Sequence, residues 1–200
     1  MNNTYNNTLF DTDFTKEFES FSDKFTNQVN KITHTIEYSE KSKSKQAIFC
    51  GSFDPFTNGH LSIVKKASQI FDTVYIVLAV NYNKNRTTNK LSMIDGIKNT
   101  LIKEDITNCI VDYTYDLVAK YCKEKNIKYF IRGLRNNMDY NYEENIAEVN
   151  ELLNDELEYV YFRADNKAIS SSMIRELMSY NQSVSQWVPK DVLNCMEEDK

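Results

Sequence analysis

Residues 47–64 read AIFCGSFDPFTNGHLSIV, and this stretch decides the fold. An apolar run, 47–50, ends at Gly51, and a second apolar series follows Gly59 and His60. The chain has only four glycines and two prolines, and this stretch holds two of the glycines and one of the prolines. We interpret it as a buried strand, a sharply turning loop and the start of a helix. Such a loop, at the N-terminus of a helix, is suited to binding phosphate.

Strand-like and helix-like segments alternate along the rest of the chain. Further strands are predicted at 73–80, 109–113, 128–133 and 157–162. Helices are predicted at 60–71, 91–103, 116–125, 138–153, 170–179 and 189–197. This order predicts an α/β fold with an open, doubly wound, five-stranded parallel sheet. Ligands bind such sheets at the carboxyl ends of the strands, where the loop after the first strand lies. We expect the first of these helices to bury one face, formed by Leu61, Val64, Ala67 and Ile70.

The first 45 residues are predicted to be an extension that precedes an α/β domain at 46–200. Residues 1–9 are polar and are expected to be disordered, and residues 39–45 form a charged linker. Between them, apolar residues recur in steps of three and four, which predicts an amphipathic helix with the stripe Phe10, Phe14, Phe18, Phe21, Phe25, Val29, Ile32 and Ile36. The stripe is expected to pack on the chain's own surface or on another copy. Its acidic polar face argues against a membrane.

Composition narrows the class of protein. The chain has 200 residues, 41% of them apolar, which is enough for one core without disulfide or metal staples. Its net charge of −5 does not favour a nucleic-acid partner. The four cysteines lack CxxC spacing and are expected to be reduced thiols. No segment approaches the ~18 apolar residues of a membrane span, and no signal peptide is recognised, so we expect a cytoplasmic protein without a membrane partner.

Three motifs carry a resemblance to a known family. GSFDPFTNGH, at 51–60, resembles the G-[ST]-F-D-P-x-[TH]-x-G-H signature of the HIGH-motif nucleotidyltransferases. IRGLRNNMDYNYE, at 131–143, and AISSSMIREL, at 168–177, resemble blocks of the bacterial-type phosphopantetheine adenylyltransferases. The resemblance spans about 47–197. It implies a Rossmann-like sheet and transfer of the adenylyl group of ATP to 4′-phosphopantetheine, giving dephospho-coenzyme A and pyrophosphate in coenzyme A biosynthesis.

Several of these residues already have a chemical role without the resemblance. Arg132 and Arg135 follow a predicted buried strand, where two guanidiniums are suited to hold phosphates. The alternative is ion pairing with a nearby carboxylate, of which Asp139, Glu143 and Glu144 are the candidates. Three consecutive serines, Ser170–Ser172, precede a predicted helix, so they are suited either to cap that helix or to contact phosphates.

The resemblance assigns roles in the reaction to residues of this chain. His60 is expected at the α-phosphate of ATP, and Lys84 and Arg132 at the acceptor phosphate. Ser52 is expected between acceptor and nucleotide, and Leu117 or Val118 beside the pantetheine arm. The remaining expected ATP contacts are Phe53, Gly133, Leu134, Arg135, Glu143, Asn166, Lys167, Ala168, Ile169, Ser170, Ser171 and Ser172. Arg86, in the same loop as Lys84, is an alternative or additional phosphate ligand.

The resemblance also implies a cofactor and an assembly. Mg²⁺ is expected to arrive with ATP, bound through the substrate phosphates and not by protein side chains. A homo-oligomer is expected, a hexamer by resemblance. Two other classes stay open at this point. One is a related nucleotidyltransferase that acts on nicotinamide mononucleotide or an alcohol phosphate, and the other is a nucleotide-binding scaffold without activity.

Overall fold

A computed structural model describes residues 19–33, 44–80, 86–134, 137–165 and 170–198. The chain divides into two units, Met1–Ser44 and Lys45–Lys200. The first unit is described as a helix, α1, over residues 19–33. The predicted separation of an extension at 1–45 from a catalytic domain at 46–200 stays a prediction.

The second unit is built on a sheet of five parallel strands. The strands are β1 (Gln46–Gly51), β2 (Thr73–Ala79), β3 (Cys109–Thr114), β4 (Tyr129–Leu134) and β5 (Glu158–Arg163). Their order across the sheet is β3-β2-β1-β4-β5. The chain therefore winds from β1 to one side and then crosses β1 to continue on the other side. This arrangement confirms the predicted Rossmann-like, doubly wound fold.

Six described helices accompany the sheet. They are α2 (Asn58–Ser68), α3 (Lys90–Lys103), α4 (Val118–Lys125), α5 (Asn137–Glu151), α6 (Ser171–Ser179) and α7 (Lys190–Glu198). The predicted helix bounds differ most at α2, which begins two residues earlier and ends at Ser68 rather than Phe71. The N–H of Ile70 bonds the carbonyl of Ala67 in a closing turn. Ile70 is therefore exposed, and Ile63 is buried on the core side of the helix.

Alternation along the strands divides the core between the two faces of the sheet. On β1, Ala47 and Phe49 join a cluster that also contains buried residues of α2, α3, α6 and α7. Ile48 and Cys50 point to the opposite face and join a cluster with residues of α4. A strand buried on both faces explains why the first apolar run is continuous.

The strand order reverses at β1, and this reversal decides where a ligand fits. The loops that follow β1 and β4 leave neighbouring strands towards helices on different sides of the sheet. A crevice opens between such loops at the carboxyl edge of a doubly wound sheet. The motif at 51–60 and the motif that begins on β4 therefore face each other across this crevice.

Helix α1 has the amphipathic character that the sequence predicts. Phe21, Phe25, Val29 and Ile32 are all exposed, and the rings of Phe21 and Phe25 stack with centroids 6.4 Å apart. The rest of the predicted stripe, at residues 10–18 and 36, lies outside the described residues. Over the described parts of the chain, no helix is long and apolar enough to cross a membrane. What covers the stripe of α1 stays a prediction.

Candidate active site

A cleft of about 270 Å³ lies at the carboxyl edge where β1 and β4 are neighbours. It is lined by residues of β1 and its loop, α2, β4, α5, the residue after β5 and the start of α6: Phe49, Cys50, Gly51, Ser52, Phe53, Thr57, Gly59, His60, Ile63, Arg132, Gly133, Glu143, Ala164, Ser170 and Ser171. The structure thus brings His60, Arg132 and the Ser170 turn, which are distant in sequence, to one cavity.

The orientation of His60 is fixed by Thr57. Thr57 caps α2, and its hydroxyl accepts from the N–H of His60 at 3.4 Å. In return, the N–H of Thr57 donates to Nδ1 of His60 at 3.0 Å. A backbone N–H can only donate, so Nδ1 is the acceptor and the proton of the neutral ring lies on Nε2. Nε2–H is the donor that a phosphoryl oxygen requires.

Aromatic packing holds the His60 ring from the side. The ring lies 5.0 Å from Phe53, 5.4 Å from Phe56 and 6.1 Å from Phe49, measured between centroids. Phe53 reaches this position from a backbone with φ of 42°, a left-handed conformation that is strained for a phenylalanine. A Cβ on Gly51 would lie 3.0 Å from the Phe53 ring, so only glycine fits at position 51 without displacing that ring.

Arg132, at the end of β4, is held by a carboxylate from α5. Its Nε and Nη2 donate to the two oxygens of Glu143 at 2.5 and 2.6 Å, and Nη1 donates to the Cys50 carbonyl at 3.1 Å. The Arg132 and Glu143 side chains are only 19% and 11% exposed, so this pair is not the weak surface ion pair that the sequence left open. The guanidinium has five N–H groups. Donors remain on Nη1 and Nη2 for a phosphate.

The start of α6 contributes serines with different functions. Ser170 caps the helix by accepting from the N–H of Met173 at 3.2 Å. The Ser171 hydroxyl donates to the Pro55 carbonyl at 2.8 Å and so ties α6 to the β1 loop. Ser172 does not line the cleft and accepts from Arg175 at 3.1 Å. Two of the three serines therefore face the cavity, and each also has a structural bond.

Two arginines bind the backbone of the β1 loop behind the cleft. Arg86 donates to the carbonyls of Ser52 and Phe53, and Arg175 donates to the carbonyl of Asp54. Burial lowers the pKa of the Arg86 guanidinium, the nearby Asp54 carboxylate opposes this effect, and Arg175 adds to it. The donors of Arg86 are thus directed at protein carbonyls, which does not favour the alternative of a phosphate ligand.

Cys50 lies in the cleft wall, but its thiol is expected to be unreactive. Burial raises the pKa of its thiol to about 12, against a smaller opposing effect of Arg132. The thiolate is the nucleophilic form, so Cys50 is unsuited to covalent catalysis. None of the four cysteines forms a disulfide, and Cys50 and Cys122 are buried, as small core residues are expected to be.

Part of the predicted site lies outside the described residues or away from the cavity. Lys84, Arg135 and residues 166–169 belong to the first group. In the second group, Leu117 precedes α4 after β3 and is 59% exposed, and Val118 packs against the α4 cluster. Leu134 accepts from the N–H of Ala164 at the end of β4. The roles assigned to all of these residues stay predictions.

Sequence reasoning missed several residues that shape the cleft. Thr57 is the most important of them. The sequence did carry a sign of its function, because Thr57 lies three residues before His60 at the start of a helix, which is the spacing of a capping box. Ile63 and Ala164 line the cavity as apolar walls. Nothing in their local sequence distinguishes them from core residues. Arg175 had a motif position but no predicted function.

The described residues do not form a metal site. Across the described segments, no group of three His, Cys, Asp or Glu side chains is placed to hold a metal ion. The carboxylate in the cleft wall, Glu143, already accepts from Arg132 with both oxygens. This donor set does not fit a protein cage for Mg²⁺.

Comparison with known proteins defines the class first. The profile of the cytidylyltransferase-like family matches residues 48–177, which contain all three motifs. The chain resembles a solved structure assigned as a nicotinate-nucleotide adenylyltransferase from Vibrio parahaemolyticus, with a TM-score of 0.59 over 78% of this chain and 93% of that one. At 17% identity, this likeness shows the fold alone. The protein is a nucleotidyltransferase with a cytidylyltransferase-like domain.

Curated relatives narrow the assignment. The chain is 44% identical to the phosphopantetheine adenylyltransferase of Petrotoga mobilis, over 74% of this chain and 91% of that protein. It is 40% identical to the enzyme of that name from Streptococcus pyogenes, over 78% of this chain and 96% of that protein. It is 36% identical to the enzyme of that name from Shouchella clausii, over 77% of this chain and 97% of that protein. The chain belongs to the phosphopantetheine adenylyltransferase family, as the three motifs predict.

Proposed function

We propose that this chain transfers the adenylyl group of ATP to 4′-phosphopantetheine. A phosphate oxygen of the acceptor forms a bond to the α-phosphorus, the bond from that phosphorus to the bridging oxygen breaks, and pyrophosphate leaves. The products are dephospho-coenzyme A and pyrophosphate, in coenzyme A biosynthesis. The single observation that carries the proposal is the convergence of His60, Arg132 and the Ser170 turn on one cleft.

The acceptor phosphate is already an anion near pH 7, so the reaction requires no strong base. Catalysis then depends on alignment and on stabilising the charge that develops around the α-phosphorus. His60 supplies a fixed Nε2–H donor for a non-bridging oxygen of that phosphate, because Thr57 holds Nδ1. No protein group needs to change its protonation state during this step.

Arg132 is proposed to bind the acceptor phosphate through the N–H groups that Glu143 and Cys50 leave available. Glu143 holds two of its donors and fixes the plane of the guanidinium. The contact of Glu143 with ATP that the resemblance implies stays a proposal, and in this structure the carboxylate acts on Arg132. Lys84 is proposed to join Arg132 at the acceptor phosphate.

ATP is proposed to lie along the starts of α2 and α6. Each helix presents backbone N–H groups and the positive end of its dipole towards the cleft, which favours a polyphosphate. Mg²⁺, bound through the nucleotide phosphates, would supply further positive charge at the leaving pyrophosphate. This placement is supported by the position of Ser170 and Ser171 in the cleft wall.

The setting proposed for the reaction is a homo-oligomer in the cytoplasm. None of the four cysteines forms a disulfide, which is usual in a reducing compartment. The oligomer, a hexamer by resemblance, is tested by measuring the mass of the full chain in solution with light scattering.

Pyrophosphate release tests the function directly. The full chain is given Mg-ATP with 4′-phosphopantetheine, nicotinamide mononucleotide, glycerol phosphate or choline phosphate in separate reactions. We expect release with 4′-phosphopantetheine only. Release with another acceptor alone would replace the proposed substrate, and no release with any acceptor would favour the scaffold alternative.

His60→Ala tests the mechanism. Loss of one preorganised donor lowers kcat by about 10²–10³-fold, and the KM for ATP is expected to change far less. His34→Ala is the matched control, because His34 is the other histidine of the chain and lies in the predicted extension. A decrease in kcat of less than about tenfold for His60→Ala would remove His60 from the chemistry.

A further inference from the structure

The loop after β1 and the segment that leads into α3 are joined by side chains from both. Arg86 donates from Nη1 to the Ser52 carbonyl at 2.6 Å and from Nη2 to the Phe53 carbonyl at 3.3 Å. Its Nε donates to the carbonyl of Thr88, at 3.3 Å, within its own segment. One planar guanidinium therefore connects consecutive carbonyls of the β1 loop to the segment that begins at residue 86.

Asp54 makes the reverse connection. It is only 6% exposed, and its carboxylate accepts from the N–H of Thr87 at 3.1 Å and of Thr88 at 3.0 Å. The Thr88 hydroxyl adds a bond of 2.8 Å to the same carboxylate. Side chains of each segment thus bind the backbone of the other. We name this set of contacts, made by Arg86, Thr87 and Thr88 with residues 52–54, the loop staple.

The loop staple lies beside the groups to which the proposed function assigns the chemistry. Ser52 lines the cleft, and Phe53 packs on the His60 ring. In the sequence, Arg86 comes two residues after Lys84, the expected acceptor ligand. Within the described residues, the staple joins residues 52–54 to residues 86–88 through hydrogen bonds. Because hydrogen bonds are directional, they fix the orientation of the two segments as well as the distance between them.

We propose that Arg86 is a positioning residue for adenylyl transfer, acting through the backbone of the β1 loop and not on the substrate. This inference rests on the proposed function for the reaction that it affects. Arg86 sets where the Ser52 and Phe53 carbonyls lie, and through Phe53 it sets the position of the His60 ring. It also joins residues 86–88 to the β1 loop. The β1 loop must be correctly placed for alignment of acceptor and α-phosphate.

Arginine is required here because of its shape. A guanidinium presents several donors in one rigid plane and is able to bind two carbonyls and a third acceptor together. A lysine ammonium keeps the positive charge near Asp54 but is a compact point charge on a flexible stem. Arg86→Lys therefore removes the geometry of the staple and retains its charge.

Arg86→Lys in the full chain is the main test. We expect kcat to decrease about 10–100-fold, because small displacements of reacting groups have effects of this size. The KM values for ATP and 4′-phosphopantetheine are expected to stay within about threefold. Asn108→Ala is the matched control, since the Asn108 amide also donates to two backbone carbonyls, that of Ser68 at the end of α2 and that of Phe71 after it, both at 2.9 Å. That contact lies at the opposite edge of the sheet, so its loss is expected to lower Tm without changing kcat more than about twofold.

The kinetics of these variants distinguish an effect of Arg86 on the position of the β1 loop from an effect on the stability of the whole domain. A kcat for Arg86→Lys within about twofold of wild type would overturn the proposal, as would an equal loss of kcat in Asn108→Ala. If Arg86→Lys does not fold, Thr88→Val decides, because it removes the two bonds of the Thr88 hydroxyl, to the Asp54 carboxylate at 2.8 Å and from Nη2 of Arg86 at 3.4 Å, and leaves the Arg86 side chain in place. It is expected to lower kcat at least about threefold, and an unchanged kcat overturns the proposal.

Hydrogen exchange distinguishes failure of this inference from failure of the proposed function. The N–H groups of Thr87 and Thr88 are expected to exchange at least about tenfold faster in Arg86→Lys than in wild type, while those of β3 do not change. If wild type releases no pyrophosphate, the proposed function fails, and exchange still tests the staple. Unchanged exchange at both threonines would show that Arg86 does not hold this segment.

Discussion

Glu143→Gln tests whether the carboxylate from α5 prepares Arg132 for phosphate binding. Glutamine has nearly the same shape, but it offers one carbonyl oxygen and one NH₂ group where Glu143 offers two anionic oxygens. The two bonds of 2.5 and 2.6 Å to Arg132 cannot both persist, because the NH₂ group would face an arginine N–H. The guanidinium is then left largely buried with a single neutral acceptor on that side.

The expected magnitude follows from this geometry. A hydrogen bond to a charged group contributes about 1.5–3 kcal/mol, and the pair is too buried for strong solvent screening. Loss of one such bond is expected to lower Tm by roughly 3–12 °C, at about 2–4 °C per kcal/mol for a chain of this size. If the same energy orients Arg132 in the transition state, kcat/KM for 4′-phosphopantetheine decreases about 10–100-fold.

The next residue on α5 gives the control. Glu144→Gln makes the same change of charge one position along, where the carboxylate accepts from the Tyr161 hydroxyl at 2.5 Å and does not line the cleft. Kinetics of pyrophosphate release and thermal melts are measured for both variants. The reasoning fails if Glu143→Gln matches Glu144→Gln in kcat/KM. It also fails if Glu143→Gln lowers the KM for the acceptor, because the carboxylate would then be a competitor for Arg132 and not its support.

Two further predictions concern packing and thiol chemistry. Gly96→Ala would place a Cβ 2.9 Å from the Val192 Cα where α3 meets α7, and it is expected to destabilise by about 1–3 kcal/mol in thermal melts. Gly59→Ala, whose Cβ meets only a hydroxyl at 3.5 Å, is the control for stability, and equal Tm values would contradict this packing. Cys50 is expected to resist iodoacetamide at pH 8 in the folded protein and to react after denaturation, because a pKa of about 12 leaves roughly one thiol in ten thousand ionised. Rapid labelling of folded Cys50, detected by mass spectrometry, would show that the cleft wall opens.

The sheet was predictable because its strands are dense apolar runs bounded by turn residues. β2 is buried on both faces, and its predicted range of 73–80 differs from Thr73–Ala79 by one residue. Helix ends were less predictable, because they depend on single side-chain contacts. The start of α2 depends on the bond between Thr57 and His60, and its end depends on a turn that leaves Ile70 exposed. The helical spacing of Ile70 in the sequence does not indicate that the helix ends before it in a turn.

The candidate site divides in the same way. Motif resemblance predicted that His60, Arg132 and the Ser170 turn belong together, and the doubly wound topology explains why they meet. The contacts of Arg86 could not be predicted, since its targets are carbonyls of Ser52 and Phe53 whose directions depend on the path of the loop. Phe53 adopts a left-handed conformation that its residue type does not suggest. Local sequence therefore predicted which candidate groups meet at the cleft, but it did not predict the groups that hold them.

The supporting contacts matter because of the chemistry proposed for this site. A nucleophile that is already charged gains little from a base, so the rate depends on donors that are in place before the transition state forms. His60 is fixed by the N–H of Thr57 and by phenyl rings, and Arg132 is fixed by Glu143 and the Cys50 carbonyl. These contacts are internal to the protein, so neither donor has to reorganise when the substrate arrives. In such a site, changing a residue that never touches the substrate lowers kcat before it lowers affinity, because binding tolerates small displacements that phosphoryl transfer does not.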